Sequence, residues 1–377
     1  MRRFNKAGAF ALAIGTAVTV NAGALADNPD ADPAALHTRL DAAVPEMLTR
    51  HEVPSAAIAY ISDGQVQWAA NWGERAPGEA AGPQTLYNIA SVTKAIVAEA
   101  ILRAAAEERL NLDLPMAPVF VDPDLHDDPR AGELTPAMAL SHRTGFAENW
   151  RSDMPDGKLA ITDTPGETAS YSGENLEYVA AYATETLGVS LEELVAAQVF
   201  EAAQMTDTWF TPDPAWEGRV AMVRGRDGAL RLPNHVEEAS AADDVHTTIG
   251  DLGNFVAWAM RGDHLTQTVI AARDTIYDDQ VAQACPPGVI PPALCPAHTG
   301  FGLGWMIYDS GDNRFLLHNG KGWGERAIAL FEPEKGYGVV VLTSGANGRS
   351  VISEVLQITV PDEKLNVLVA AEARFDR

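Results

Sequence analysis

Apolar residues recur at helical spacing in several segments of this chain. Between residues 33 and 51, apolar side chains stand four residues apart, at Leu36, Leu40, Val44 and Leu48. This spacing predicts an amphipathic helix, because residues at i, i+3 and i+4 share one face. Further helices are predicted at about residues 91–109, 190–201, 248–261 and 350–358.

The other recurring pattern is that of β-strands. Segments 56–61 and 65–70 flank an Asp63-Gly64 turn, which predicts a hairpin. In the last third of the chain, four strand candidates alternate with turns rich in Gly, Asp, Asn and Pro, at residues 302–308, 314–317, 326–331 and 337–343. Short strands separated by such turns indicate an antiparallel meander.

Together these elements predict an α+β fold. The first and last segments both carry strand patterns, so we expect them to form one antiparallel sheet flanked by helices. The middle of the chain alternates short helical patterns with loops. The α/β part then comprises about residues 33–110 and 300–377, and a mainly helical region of about residues 111–299 is inserted into it.

The charge of the chain limits its partners. Of the 377 residues, 52 are Asp or Glu and 27 are Lys or Arg, which gives a formal net charge of −25. Such a surface repels nucleic-acid phosphates and anionic membranes, so neither is expected as a partner.

The N-terminus has the composition of an export signal. Arg2, Arg3 and Lys6 precede an apolar run over residues 7–20, and an Ala-Leu-Ala sequence ends at Ala26. This order is typical of a secretory signal peptide. A membrane anchor is the alternative, but the run is short for a span. We therefore expect a signal peptide at residues 1–26 and a secreted or periplasmic protein over residues 27–377, with no stable membrane span.

The chain has two cysteines, Cys285 and Cys295, in a proline-rich segment. In an oxidising compartment a close pair of this kind predicts one disulfide. A metal site is disfavoured, because it would need more ligands at shorter spacing.

A first candidate for catalysis is the Ser91-Val92-Thr93-Lys94 sequence at the start of the predicted helix 91–109. Residues i and i+3 share a helix face, so the hydroxyl and the amine can touch. A serine becomes a nucleophile when a base takes its proton, and a lysine is such a base once desolvation lowers its pKa. The alternative is a helix-capping serine beside a surface lysine.

A second candidate is Tyr171, which lies in a loop rich in Gly and Ser. Its hydroxyl can share a proton with a serine–lysine pair, as phenol or as phenolate. The alternative is a tyrosine whose ring is simply packed in the loop.

A third candidate is the His318-Asn319-Gly320-Lys321 sequence between two predicted strands. Glycine in a strand lets a ligand approach the backbone, and N–H groups there can serve an oxyanion hole. The alternative is a bulged hairpin with a surface histidine.

The order of the three motifs resembles that of serine β-lactamases and penicillin-binding proteins, where S-x-x-K precedes a later Lys- or His-containing strand motif. The chain is most similar to the branch of class C β-lactamases, D-alanyl-D-alanine carboxypeptidases and related esterases. The similarity spans about residues 53–348. It includes the segments Leu134-Thr135-Pro136, Leu140-Ser141-His142-Arg143-Thr144-Gly145, Met205-Thr206-Asp207-Thr208 and Phe301-Gly302-Leu303-Gly304-Trp305.

The resemblance implies a β-lactamase-like fold and a role for each motif. Ser91 would be acylated, and Lys94 and Tyr171 would move its proton and later activate water. His318 would assist the proton network or substrate binding. The N–H groups of Ser91 and Lys321, beside Gly320, would form the oxyanion hole. The substrate would be a small molecule, namely an ester, a D-amino-acid peptide or a β-lactam, and no metal or organic cofactor is implied.

Two positions depart from the family pattern. Gly173 stands where the family often has an Asn that holds the substrate's amide, although a loop shift would bring Asn175 into that place. Asp243 and Asp244 stand where many relatives have a pair of glycines. The first departure disfavours efficient recognition of β-lactams or peptides.

Other polar residues have weaker functional signals. Lys321 is expected either to attract a substrate carboxylate in this acidic protein or to point into solvent. The acidic and histidine-rich segment 235–246 fits no standard metal-binding spacing, and His142 is not assigned a catalytic role. A G-x-S-x-G sequence is absent, which disfavours an α/β-hydrolase.

The sequence therefore predicts an exported serine hydrolase that forms an acyl-enzyme on Ser91. A D-Ala-D-Ala carboxypeptidase-like or esterase-like activity is favoured over that of a β-lactamase because of Gly173. The alternative of another class is a non-catalytic ligand-binding member of the fold, which intact Ser91, Lys94 and Tyr171 disfavour.

Overall fold

The structure is a computed structural model that describes residues 32–375, apart from residues 149 and 244. The predicted signal peptide, residues 1–26, lies outside the described residues. Within the described part of the chain, no helix is long and apolar enough to cross a membrane.

Helices α1, α2, α5, α6 and α9 lie where the apolar spacing predicts a helix, whereas α3, α7, α8 and α10 were not predicted. The helices are α1 Pro33–His51, α2 Thr93–Ala106, α3 Pro136–Leu140, α4 Gly173–Leu187, α5 Leu191–Val195, α6 Ile249–Arg261, α7 Gln267–Arg273, α8 Val281–Ala284, α9 Gly348–Thr359 and α10 Glu363–Phe375.

The strands are β1 Ser55–Ser62, β2 Gln65–Ala76, β3 Glu79–Ala80, β4 Tyr87–Asn88, β5 Thr208–Trp209, β6 Val223–Arg224, β7 Leu230–Arg231, β8 His246–Thr247, β9 His298–Phe301, β10 Met306–Asp309, β11 Arg314–Lys321, β12 Arg326–Glu332 and β13 Tyr337–Thr343. Eight of them form an antiparallel sheet in the order β3-β2-β1-β13-β12-β11-β10-β9. The first and last segments of the chain thus share one sheet, and the predicted α+β fold is confirmed.

Both faces of the central strands are buried, because helices cover each side of the sheet. In β13, Val340 and Leu342 pack into a core with α2 and α6, whereas Val339 and Val341 pack into a second core with α1 and α9. This double burial explains why β13 is a continuous apolar run rather than an alternating one. The candidate catalytic residues lie on the α2 side of the sheet.

The predicted strand 302–308 is wrong in its first half. The chain forms β9, turns over residues 302–305, and then forms β10. Gly304 has φ of 81°, and a Cβ at this position would lie 2.0 Å from the Cβ of Ala98 on α2. The glycine therefore marks a turn that packs tightly against α2, not a strand residue.

The disulfide-forming segment lies between α8 and β9. Cys285 and Cys295 are bonded in the structure, with their Cα atoms 6.0 Å apart. This separation is within the range that an unstrained disulfide spans.

A buried group of charges fixes α2 against the rest of the fold. Glu99 accepts hydrogen bonds from Trp305 Nε1 at 2.8 Å and Arg273 Nη1 at 3.2 Å, and it forms an ion pair with Arg103. All three charged side chains are almost completely buried. Burial opposes ionisation of Glu99, but the charges of the two arginines outweigh it, so its pKa lies below the usual value.

We expect Glu99→Ala to lower the free energy of unfolding by about 3–5 kcal/mol, because it leaves two buried guanidinium groups without their carboxylate. Urea unfolding of the purified variant measures this loss. The matched control is Glu107→Ala at the end of α2, where the ion-paired carboxylate is half exposed and should contribute no more than about 1 kcal/mol. Equal stability of the two variants would contradict the structural role of Glu99.

Candidate active site

Ser91 lies in a tight turn that joins β4 to α2. The turn is a 3-10 helix over Ala90–Val92, and Ala90 has φ of 46°, a left-handed conformation that is rare for alanine. Asn88 Oδ1 accepts a hydrogen bond from the Ala90 N–H at 2.7 Å and so holds this conformation. Ser91 is thus presented, half-buried, two residues before Thr93, the first residue of α2.

Lys94 contacts Ser91, as the i, i+3 spacing predicts. Its Nζ lies 2.9 Å from Ser91 Oγ and donates a second hydrogen bond, of 2.6 Å, to the carbonyl oxygen of Ala242. The lysine is only 1% exposed. Desolvation lowers the pKa of Lys94 to about 8, although the negative charges of Asp243 and Glu177 oppose this shift. A significant fraction of Lys94 is therefore uncharged near neutral pH, as a base requires.

Tyr171 lies beside the Ser91–Lys94 pair. Its hydroxyl hydrogen-bonds to Ser91, and its ring centroid is 5.2 Å from Lys94 Nζ. Burial of the hydroxyl raises the pKa of Tyr171 to about 12, and the negative charge of Asp243 adds to this effect. The residue as a whole is 39% exposed. Tyr171 is accordingly a phenol, not a phenolate, over the ordinary pH range.

His142 holds the loop that carries Tyr171, a contribution that the sequence analysis did not assign. Its carbonyl oxygen accepts from the Ser170 N–H at 2.8 Å, and its Nδ1 accepts from the Ser172 N–H at 3.4 Å. The imidazole centroid is also 4.7 Å from that of Tyr171. Burial, together with the charge of Lys94, keeps the pKa of His142 well below its usual value. The neutral ring thus remains able to accept at Nδ1.

His318 reaches the same region from β11. The side chain is buried, and its ring centroid lies 6.2 Å from that of Tyr171. Burial, and then the charge of Lys94, lower the pKa of His318 to about 3. Its Nδ1 is 2.9 Å from the carbonyl oxygen of Asn319, which can only accept, so Nδ1 carries the proton and Nε2 has a free lone pair.

Gly320 allows β11 to approach the turn that carries Ser91. A Cβ at this position would lie 2.2 Å from the carbonyl oxygen of Ile89, so any other residue would force the strand and the turn apart. Lys321 follows at the end of β11 and is exposed. Side chains alternate along a strand, which places Lys321 on the face opposite to His318.

Glu177 is a second residue that the sequence analysis did not identify. It lies on α4, and its Oε1 accepts from Ser240 Oγ at 2.6 Å, while the Ala241 N–H also hydrogen-bonds to its carboxylate. Ser240 Oγ in turn accepts from the Ala242 N–H at 3.2 Å. The carboxylate therefore fixes the segment whose Ala242 carbonyl binds Lys94.

Asn175 takes a structural position. It is completely buried, and its Oδ1 accepts from Thr144 Oγ1 at 2.6 Å. Its Nδ2 lies 3.4 Å from the carbonyl oxygens of Ser170 and Ser172, so the amide group is engaged within the fold. Gly173 remains the second residue after Tyr171 and begins α4.

Two cavities lie apart from these side chains. One, of about 540 Å³, opens between α1, β2 and the β6–β7 hairpin, and another, of about 390 Å³, lies between α8 and α10. None of the predicted site residues lines either cavity. In the described part of the chain, no three His, Cys, Asp or Glu side chains are grouped so that they could hold a metal ion.

Two solved structures, a penicillin-binding protein homologue and a D-alanine carboxypeptidase, are similar to this fold. The octameric penicillin-binding protein homologue from Pyrococcus abyssi matches with a TM-score of 0.68 and 21% identity, over 90% of this chain and 77% of that one. The D-alanine carboxypeptidase AmpC from Burkholderia cenocepacia matches with a TM-score of 0.68 and 18% identity, over 90% and 99% of the two chains. At these identities the likeness establishes the fold.

The chain belongs to the Beta-lactamase family, whose model matches residues 40–358. Penicillin-binding protein 4 of Amycolatopsis lactamdurans is 24% identical over 331 residues, which are 82% of this chain and 85% of that protein. Protein flp of Staphylococcus aureus, strain MRSA252, is 20% identical over 325 residues, which are 81% of this chain and 62% of flp. The family resemblance inferred from the motifs is confirmed. Members of this family are in general serine hydrolases that act on small molecules.

Proposed function

We propose that this protein is a serine hydrolase that forms an acyl-enzyme on Ser91, with D-Ala-D-Ala carboxypeptidase-like or esterase-like activity. The observation that carries the proposal is the 2.9 Å contact between Ser91 Oγ and the buried Nζ of Lys94. The names of two similar proteins, Penicillin-binding protein 4 and D-alanine carboxypeptidase AmpC, support the same class of substrate.

In the acylation step, uncharged Lys94 takes the proton of Ser91, and Oγ attacks the substrate carbonyl carbon. The carbonyl oxygen becomes an oxyanion, for which the N–H groups of Ser91 and Lys321 are the proposed donors. Collapse of this intermediate breaks the bond to the leaving group. Tyr171, as a phenol, gives that group a proton, and the proton held by Lys94 restores the phenol.

In the deacylation step, water takes the place of the leaving group. Lys94, again uncharged, removes a proton from the water with Tyr171 as its partner, and the resulting hydroxide attacks the acyl-enzyme. Ser91 Oγ leaves and recovers its proton, which closes the cycle with an acid and the free enzyme. His318 offers the lone pair of Nε2 to a substrate donor, because its low pKa keeps the ring neutral.

Export is part of the proposal. The signal-like sequence at residues 1–26 and the disulfide between Cys285 and Cys295 both suit an oxidising compartment outside the cytoplasm.

The proposal is tested by the substrate preference of the purified protein. We expect measurable kcat/KM values for a D-Ala-D-Ala peptide or for short-chain p-nitrophenyl esters, and a value at least tenfold lower for nitrocefin. A reversed order would make the protein a β-lactamase. No turnover of any of these, combined with tight ligand binding, would instead identify a non-catalytic member of the fold.

A further inference from the structure

Gly173 is covered by the indole ring of Trp150. A Cβ at residue 173 would lie 2.2 Å from Cη2 and 2.3 Å from Cζ2 of that ring. Because real Cβ atoms do not approach other atoms so closely, any L side chain at this position would displace the indole. The absent side chain at the start of α4 is thus replaced in space by an aromatic ring from another loop.

The loop that carries Trp150 is fixed by its next residue. The Arg151 N–H donates to Glu174 Oε1 at 2.9 Å, and its Nε donates to Glu174 Oε2 at 2.9 Å. Its Nη2 also donates to Asp122 Oδ2 at 2.8 Å, and both carboxylates are largely buried. Two consecutive pairs therefore interlock, Trp150 on Gly173 and Arg151 on Glu174, so the indole has a defined place.

That place is beside the catalytic amine. Lys94 Nζ lies 5.9 Å from the centroid of the Trp150 ring and 5.2 Å from that of Tyr171. Since Lys94 Nζ is also 2.9 Å from Ser91 Oγ, a group of phenyl size bonded to the reacting carbonyl can reach the indole. Trp150 is half-buried, so part of its side chain remains accessible.

We propose that Trp150 forms the acyl-group subsite of this enzyme and gives it a preference for acyl groups with aromatic or large apolar substituents. The inference rests on the proposed acyl-enzyme mechanism and adds its substrate class. A ring face attracts an aromatic group by stacking and by burial of apolar surface, whereas it gives a small acyl group little to contact. A preference of about tenfold is expected from one such aromatic pair.

The test compares two esters that share a leaving group, p-nitrophenyl phenylacetate and p-nitrophenyl acetate. We expect Trp150→Ala to lower the ratio of their kcat/KM values by about tenfold, and Trp150→Phe to retain most of it. Gly173→Ala should lower the same ratio although Trp150 is still present, because the new methyl group displaces the ring. The matched control is Trp209→Ala, which removes a half-buried tryptophan outside the site.

A second measurement does not depend on turnover. Benzylboronic acid and methylboronic acid are compared as ligands of the parent protein and of Trp150→Ala, since a boronate bonds to a nucleophilic serine and mimics the tetrahedral intermediate. We expect the loss of affinity to be confined to the benzyl compound. An equal effect of Trp150→Ala on both boronates and both esters would overturn the subsite. A parent protein that binds no boronate and cleaves no ester would overturn the proposed function, and the subsite with it.

Discussion

Ser91→Ala is expected to lower kcat/KM by roughly 10⁴-fold or more and to abolish covalent labelling by an acylating inhibitor. The hydroxyl is the group that bonds to the substrate in the proposed mechanism, and a methyl group cannot replace it. Intact-mass measurement after incubation with a fluorescent penicillin and with a p-nitrophenyl ester reports the adduct directly, and steady-state kinetics report the loss of turnover.

The control for this experiment is Ser152→Ala, which removes an exposed serine in the loop that follows Trp150. It should leave both labelling and turnover at the level of the parent protein. An adduct that persists in Ser91→Ala with unchanged mass shift would place the nucleophile elsewhere. Absence of any adduct or turnover in the parent would favour the ligand-binding alternative.

Helices and strands with long apolar patterns could be predicted from the sequence. The α1 helix and β13 begin and end where their patterns do, because α1 buries one apolar stripe and β13 buries both of its faces. The turn at residues 302–305 could not be predicted from the sequence. Its Gly304 is required by contact with Ala98, which lies about 200 positions away in sequence. Such tertiary contacts leave no local signal.

The candidate site also has residues that could be predicted from the sequence and residues that could not. The Ser91–Lys94 contact follows from local helix geometry, and the resemblance to known hydrolases suggested that Tyr171 and His318 belong with it. His142, Glu177 and other supporting residues act through partners that are distant in sequence, such as Ser240 for Glu177. Their spacing in the chain carries no trace of these contacts.

The structure also gives an account of one departure from the family pattern. The charge of Asp243, in place of a glycine, raises the pKa of Lys94 and of Tyr171. With desolvation alone, the pKa of Lys94 would be lower than about 8, and the amine would be a weaker base. Asp243 and Glu177 thus moderate the effect of burial, and Asp244 lies outside the described residues.

The protonation state of Lys94 should control the pH dependence of the enzyme. Uncharged Lys94 is the proposed base and its pKa is about 8, so kcat/KM should rise with pH, about tenfold per unit below pH 8, and level off above it. A p-nitrophenyl ester is a suitable substrate because it has no ionisable group in this range. The rate with Ser91→Ala corrects for spontaneous hydrolysis.

Two variants test whether the uncharged form of Lys94 is the base: Lys94→Arg and Glu177→Gln. Lys94→Arg keeps a cation that cannot lose its proton, so turnover should fall by roughly 10³-fold, whereas Lys158→Arg, at an exposed site, should have no effect.

Glu177→Gln keeps an oxygen that accepts from Ser240 but removes a negative charge. It should move the midpoint of the pH profile to lower pH, because the pKa of Lys94 is then less strongly raised. A flat profile between pH 6 and 9, or a Lys94→Arg variant with more than about a tenth of the parent activity, would show that Lys94 is not the base.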